Sequence, residues 1–269
     1  MIIINNKYIS VLRTNWIQAL EYRANALVGV LAILSGLFIE YQIWDLIFEA
    51  KGYTTVKNFE FNELIVFIFL SIIIGQLKSS WHSSGEMIRA IRTGEINKYL
   101  IRPVSYFWYH FMMFIGFNSL YYIVYSFILF AFTFIFPSMI FQTLSSILCF
   151  IIALGLSIYL SYCIYFIMVC CAFWFGEVRS LVVSYNLAML VLSGQYVPIR
   201  FFPDSVLNII NWTPIRYLVD FPVSIATGIL PQEEWLQGIL MAIAWCLVLS
   251  LFSSIIYKFG IKDYEAYGS

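Results

Sequence analysis

Long apolar segments follow one another along this chain with few charges between them. Of its 269 residues, 62% are hydrophobic and only 11% are charged, whereas a soluble domain carries roughly 25% charged residues. A helix that spans a bilayer needs about 20 consecutive apolar residues. We therefore predict an all-α integral membrane protein with one transmembrane domain, 1–269, and six transmembrane helices. These spans cover about residues 24–48, 61–78, 106–136, 145–173, 181–197 and 237–258.

The basic residues indicate how such a protein lies in the membrane. With the N-terminus inside, eleven of the fifteen Lys and Arg residues fall in inner segments. Lysine and arginine are enriched in cytoplasmic loops, so both termini are predicted to be cytoplasmic. The formal net charge is zero, which argues against nucleic acid as a partner and leaves the lipid bilayer as the first one expected.

The longest polar segment, 79–103, separates the second and third predicted spans. With Lys78 it carries five basic residues against Glu86 and Glu95, and its residues alternate in polarity as in a short surface helix. Gly94 interrupts the pattern, and glycine costs a helix about 1 kcal/mol relative to alanine. We predict two short helices that form a docking surface for a partner. Their apolar stripe comprises Met87, Ile88, Ile91, Ile96 and Leu100. The alternative is an ordinary cytoplasmic loop whose basic residues bind lipid headgroups.

Two further segments are predicted to lie at the membrane surface. About residues 5–22 carry an apolar stripe at helical spacing, which predicts an amphipathic elbow helix on the inner leaflet. An N-terminal extension of the first span is the alternative. Segment 198–235 contains five prolines that divide it into pieces too short to cross, so we predict interfacial or re-entrant helices on the outer side. The apolar stripe of residues 5–22 comprises Tyr8, Leu12, Trp16, Ala19 and Leu20.

The fourth predicted span carries small residues at every fourth position. Ala153, Ser157 and Ser161 would all lie on one face of that helix. Small residues at this spacing allow two helices to approach closely. The pattern favours helix packing over chemistry.

Several catalytic patterns are absent from the sequence. None of the seven lysines follows a glycine, so the phosphate-binding loop GxxxxGK[ST] does not occur. The two histidines do not form HExxH, and Ser157 lacks the second glycine of a nucleophile elbow. The five cysteines lie in apolar runs, where a thiol packs as a small hydrophobe. We predict that the chain is not an enzyme and holds no cofactor or metal.

One segment resembles a known family. Gly94–Ser105 reads GEINKYLIRPVS and is similar to the G-E-(L/I)-x-x-Y-L-(I/L)-R-P-(L/V)-S stretch of type-2 ABC exporter permeases. The subgroup with six spans and no fused ATPase is the most similar. Phe173–Phe175, Ser193–Pro203 and the later Pro214 and Pro222 agree in the same order along the chain.

The resemblance implies a permease subunit in a bacterial cell membrane that exports an apolar or amphipathic substrate such as a drug, peptide or lipid. A cytoplasmic ABC ATPase dimer would bind ATP and Mg²⁺, and a second permease would complete the complex, with a heteromer favoured. Segment 79–103 would hold the coupling helix that contacts the ATPase. The candidate coupling residues are Glu86, Arg89, Ile91, Arg92, Glu95, Ile96 and Arg102.

Three other charged residues are candidates for function. Glu40 lies in the first span, where a carboxylate is costly, and could mark the substrate route or lie at the outer surface. Glu177 and Arg179, in the turn before the fifth span, could form a second inner contact or a local pair. Two other functions stay open: an ion-coupled carrier, which normally has ionisable residues in mid-span, and a non-transporting immunity or structural protein.

Overall fold

The computed structural model describes residues 2–21, 23–52, 55–56 and 59–264. Helices dominate because a backbone surrounded by lipid must satisfy its own hydrogen bonds. The helices are α1 (Ile2–Glu21), α2 (Arg23–Lys51), α3 (Phe61–Leu77), α4 (Trp81–Arg92), α5 (Asn97–Leu100), α6 (Tyr106–Ile135), α7 (Leu144–Cys170), α8 (Ala172–Phe175), α9 (Arg179–Leu192), α10 (Asp204–Trp212), α11 (Asp220–Ala226) and α12 (Gln232–Lys262). Short 3₁₀ turns cover Ile199–Phe201 and Arg216–Leu218.

Four segments are long and apolar enough to cross a membrane. They are Leu27–Ala50, Tyr106–Ile135, Leu144–Phe175 and Gln232–Lys262, and they correspond to four of the six predicted spans. The other two predicted spans coincide with shorter apolar helices, α3 of 17 residues and α9 of 14 residues. An all-α membrane architecture is thus consistent with the structure.

Two details add to this description. Within the predicted span 181–197 the helix is not continuous, because α9 ends at Leu192 and Gly194 takes φ +85°. At 1.5 Å per residue α9 is only about 21 Å long. Two short strands, β1 (Thr55–Val56) and β2 (Phe59–Glu60), pair antiparallel after α2 and leave the all-α class unchanged.

Helix α7 lies at the centre of the bundle and forms hydrogen bonds to two other segments. Ala153, Ser157 and Ser161 are buried, as their spacing predicted. Both serines also make hydrogen bonds that the spacing did not predict. The Ser157 hydroxyl donates to the Leu218 carbonyl at 2.5 Å, and the Ser161 hydroxyl donates to the Lys78 carbonyl at 2.8 Å. Each carbonyl belongs to a segment where the helical hydrogen-bond pattern is interrupted.

Residues 217–226 fold into the interior of the bundle. All ten are buried, and the Ser157 that binds Leu218 is the central residue of α7. Arg216 and the buried Asp220 approach each other to 3.6 Å. A Cβ added at Gly194 would meet Ile199 at 3.2 Å and Asp220 at 3.4 Å. The backbone of residues 217–226 is therefore enclosed by protein, as a re-entrant segment requires.

Helix α1 packs along the first half of α6. The Ser105 N–H donates to the Tyr8 hydroxyl at 3.0 Å. A Cβ added at Gly116 would come within 2.6 Å of the Leu12 carbonyl oxygen, so glycine is required for this close approach. The predicted apolar stripe thus contacts α6 rather than lipid, except for its exposed last member. Among the side chains of α1 that the structure describes, from Lys7 onward, the exposed large apolar ones are Ile9, Ile17 and Leu20.

The hydrogen bond from the Ser157 hydroxyl to the Leu218 carbonyl can be tested directly by substitution. Replacing Ser157 with Ala leaves the buried Leu218 carbonyl without its donor, so we expect the free energy of unfolding to fall by about 1–3 kcal/mol. Denaturant titration in mixed micelles measures this. Ser254→Ala is the control, because that exposed hydroxyl bonds only within α12. Equal stability of the two variants would contradict the role assigned to Ser157.

Candidate functional site

The polar segment after α3 folds as two helical pieces, as its sequence predicted. Helix α4 ends at Arg92, and Gly94 takes φ +79°, which favours glycine. The chain turns back there, and the Ile96 N–H donates to the Ala90 carbonyl at 3.0 Å. Residues 78–105 form one end of the bundle, which we call the loop end.

The apolar side of α4 is buried in the protein's own core. Met87, Ile88, Ile91 and Ile96 are each at most 3% exposed and pack against α6, α7 and α9. The prediction that Ile91 and Ile96 contact a partner directly therefore needs correction, because neither side chain reaches the surface. The sequence pattern predicts an apolar stripe, but the surface that covers these four residues belongs to this chain and not to a partner.

Apolar residues do reach the surface at the tip of the loop. Ile101 is 85% exposed and Leu100 44% exposed. Arg102, one of the predicted coupling residues, is exposed directly after them. Such residues on a polar segment form a small surface suited to a protein partner.

The charged candidates lie on the exposed side of α4. Arg92 forms an ion pair with Glu177, in the turn before α9. Glu95 accepts a hydrogen bond from Lys98 at 3.1 Å and lies 4.0 Å from Arg89. The hydrogen bond from Lys98 lowers the pKa of the Glu95 carboxyl below its ordinary value, so this charge network is stable at neutral pH.

The second predicted contact lies directly beside the loop. Glu177 also accepts a hydrogen bond from the Arg179 backbone N–H at 3.1 Å. Glu177 therefore contacts both its neighbour Arg179 and Arg92 of the loop. Arg179, Glu86 and Arg89 line a groove of about 410 Å³ between α4 and α9. Six of the eight charged candidates therefore lie together beside the loop, exposed Arg102 lies at its end, and Glu40 lies elsewhere.

The C-terminal end of α12 also holds the loop. The Tyr264 hydroxyl donates to the Ile91 carbonyl at 3.0 Å. Trp174 Nε1, in α8, donates to Asp263 at 3.0 Å. The sequence analysis missed these residues. Their only signal was an aromatic and an acidic residue directly after the last apolar run.

Aromatic contacts hold the short helix α5 against α6. The ring of Tyr99 lies 5.2 Å from that of Tyr106 and 4.9 Å from that of Tyr109, both in edge-on geometry. Burial raises the pKa of Tyr99 to about 12, so its hydroxyl stays neutral at physiological pH. Both helical pieces of the loop, α4 and α5, are thus packed against the rest of the protein.

Glu40 does not belong to this site. It is half-buried in α2 and lies near Tyr196, in the segment after α9. Its proposed place on a substrate route stays a prediction. Among the described residues, no group of three or more potential metal ligands is close enough to bind an ion.

The fold and the loop together define a polytopic membrane protein with a structured polar loop at one end. Comparison with family models identifies it further. Residues 32–268 match the ABC-2 family transporter protein model, and the chain belongs to this family of transport membrane subunits. Among curated proteins no match was found.

The pair between Arg92 and Glu177 can be tested by reversing charges. Arg92→Glu places two carboxylates together, which loosens the end of α4, and we expect chymotrypsin, whose aromatic sites neither substitution alters, to cleave the loop roughly threefold faster. Arg92→Glu combined with Glu177→Arg restores the pair and should return cleavage to the original rate. Rapid cleavage of the double variant would show that the pair does not hold the loop.

Proposed function

We propose that this chain is the permease subunit of an ATP-driven exporter. The proposal rests on one observation, the difference between the inner and outer sides of segment 78–105. Its inner side is packed on α6, α7 and α9, while its outer side exposes charges and the apolar Ile101. Membership in the ABC-2 family supports this reading, since that family works with ABC ATPases.

The proposed partner is a cytoplasmic ABC ATPase dimer that binds ATP and Mg²⁺. Its surface would contact Leu100, Ile101 and Arg102, together with the charged side of α4. The predicted coupling residues Glu86, Arg89, Arg92 and Glu95 are exposed and available for such contact. Ile91 and Ile96 would act indirectly, because they fix α4 to the core.

The contacts of α4 indicate which helices a movement of the loop would displace. Arg92 contacts the turn before α9 through Glu177, and Ile91 contacts the end of α12 through Tyr264. A displacement of α4 would therefore move α9 and α12 with it. Substrate would leave past segment 198–235, of which residues 217–226 are buried in the bundle, on the far side of the membrane.

The proposed topology has six spans with both termini in the cytoplasm of a bacterium. Helix α9 and the irregular chain after it would together complete the fifth span. A second permease, favoured to be a different chain, would cover part of the exposed face of α2, where Leu27, Leu31 and Phe38 are more than half exposed. Lipid would cover the remainder.

The two other functions receive less support. An ion-coupled carrier would not need a structured loop of exposed charges with an apolar tip. A non-transporting protein would not need an ATPase surface. The ABC-2 match favours neither of them.

Co-purification tests the proposal at one exposed residue. Ile101→Glu places a charge at the loop tip without disturbing the core, and we expect the ATPase to be lost from the purified complex. Lys262→Glu, an exposed change at the end of α12, is the control and should retain it. An ATPase that stays bound to the Ile101 variant would contradict this docking surface. A chain that purifies alone in native form would contradict the exporter proposal itself.

A further inference from the structure

A cavity of about 740 Å³ lies between α1, α2, α3 and α6. Its α2 wall contains Gly29, Ala32 and Gly36, which share one helix face. A Cβ added at Gly36 would meet nothing within 4 Å, and one at Gly29 would meet only the Tyr121 ring. The small residues therefore leave open space instead of serving close helix packing. The volume falls within the range of about 300–1,000 Å³ that is typical of small-molecule sites.

The polarity of the cavity changes along its length. Gln76 is exposed although its neighbours from Val66 to Gly75 are buried, so it faces the cavity. Ser79 and Glu86 follow towards the loop end, whereas Ile72 and Tyr125 lie farther away. A molecule with a polar head near the loop and an apolar body among the helices matches this gradient.

The charged residue in the lining indicates whether that polar head carries a positive or a negative charge. Among the described lining residues, Glu86 is the charged one. Glu86 already has an interaction within the chain, but a carboxylate offers about four acceptor sites. A second carboxylate, Glu40, lies one helical turn beyond Gly36 and near Tyr196. The cavity thus has an acidic group at its loop end and another beyond its opposite end.

Aromatic rings complete a lining suited to a cation. Tyr121, Tyr125 and Tyr196 all contribute to the cavity wall. The face of an aromatic ring attracts a cation within about 6 Å, most strongly when water is excluded. An anionic head would instead meet the Glu86 carboxylate, which is unfavourable in a partly desolvated site.

We propose that this cavity binds a hydrophobic monocation and that Glu86 orients its charge. The inference rests on the proposed function in so far as it names the substrate class of that exporter. Because Glu86 belongs to α4, a bound cation would contact the same helix that holds the docking surface. Substrate and ATPase would then act on one rigid element.

Two ions of nearly equal size and shape test the sign of the charge. The full chain in lipid nanodiscs is titrated with tetraphenylphosphonium and, separately, with tetraphenylborate, in the absence of any ATPase. We expect saturable binding of the phosphonium only. Glu86→Gln should weaken that binding about tenfold, as expected for loss of one partly solvated charge contact.

Filling the cavity provides the second arm of the experiment. Gly36→Leu places a side chain in the open space and should abolish phosphonium binding. Gly155→Leu is the matched control, because an added Cβ there also meets nothing within 4 Å but lies on α7 outside the cavity. It should bind as the unaltered chain does.

Equal binding of both ions, or unchanged phosphonium binding by the Gly36 and Glu86 variants, would overturn the inference. This failure is separable from failure of the proposed function. A chain that retains its ATPase but binds no phosphonium would lose only the substrate assignment. A chain that binds phosphonium specifically but never recruits an ATPase would keep the cavity and lose the exporter.

Discussion

The arrangement of the molecule depends on satisfying carbonyl groups where helices are interrupted inside an apolar bundle. In lipid, an unpaired backbone group costs several kcal/mol. Two side chains of α7 meet this requirement, since Ser157 and Ser161 donate to the carbonyls of Leu218 and Lys78. A third, Tyr162, donates to the Phe107 carbonyl in the first turn of α6. One central helix thereby fixes the buried segment after α9, the start of the loop and the start of α6.

The loop acquires its rigidity from the same core. Its apolar residues pack beneath it, while Glu177 and Tyr264 hold the end of α4 from two directions. An exposed ion pair alone contributes only about 0–1 kcal/mol, so burial of the apolar side dominates. A partner that moves the exposed tip would therefore move α9 and α12, whereas α2, which contacts chiefly α3 and α6, is less constrained.

The sequence predicts the apolar helices and the break in the loop well, because hydrophobic length and Gly94 are local signals. It could not show that Ile96 is buried against the chain itself, since a stripe does not identify the surface that covers it. The close contact of α1 with α6 and the bond from Tyr264 to Ile91 join residues distant in sequence. Asp220 and Arg216 are visible in the sequence, but their enclosure depends on tertiary packing.

The most direct test is a set of distances between spin labels in the assembled complex. With the native cysteines replaced, labels at Thr93 directly after α4, Lys258 in α12 and Arg23 in α2 occupy exposed positions outside the predicted coupling residues. On addition of ATP, the distance from α4 to α12 should stay constant, while the distance from α4 to α2 should change. A shift between α4 and α12 with none between α4 and α2 would contradict the rigid attachment on which this account rests.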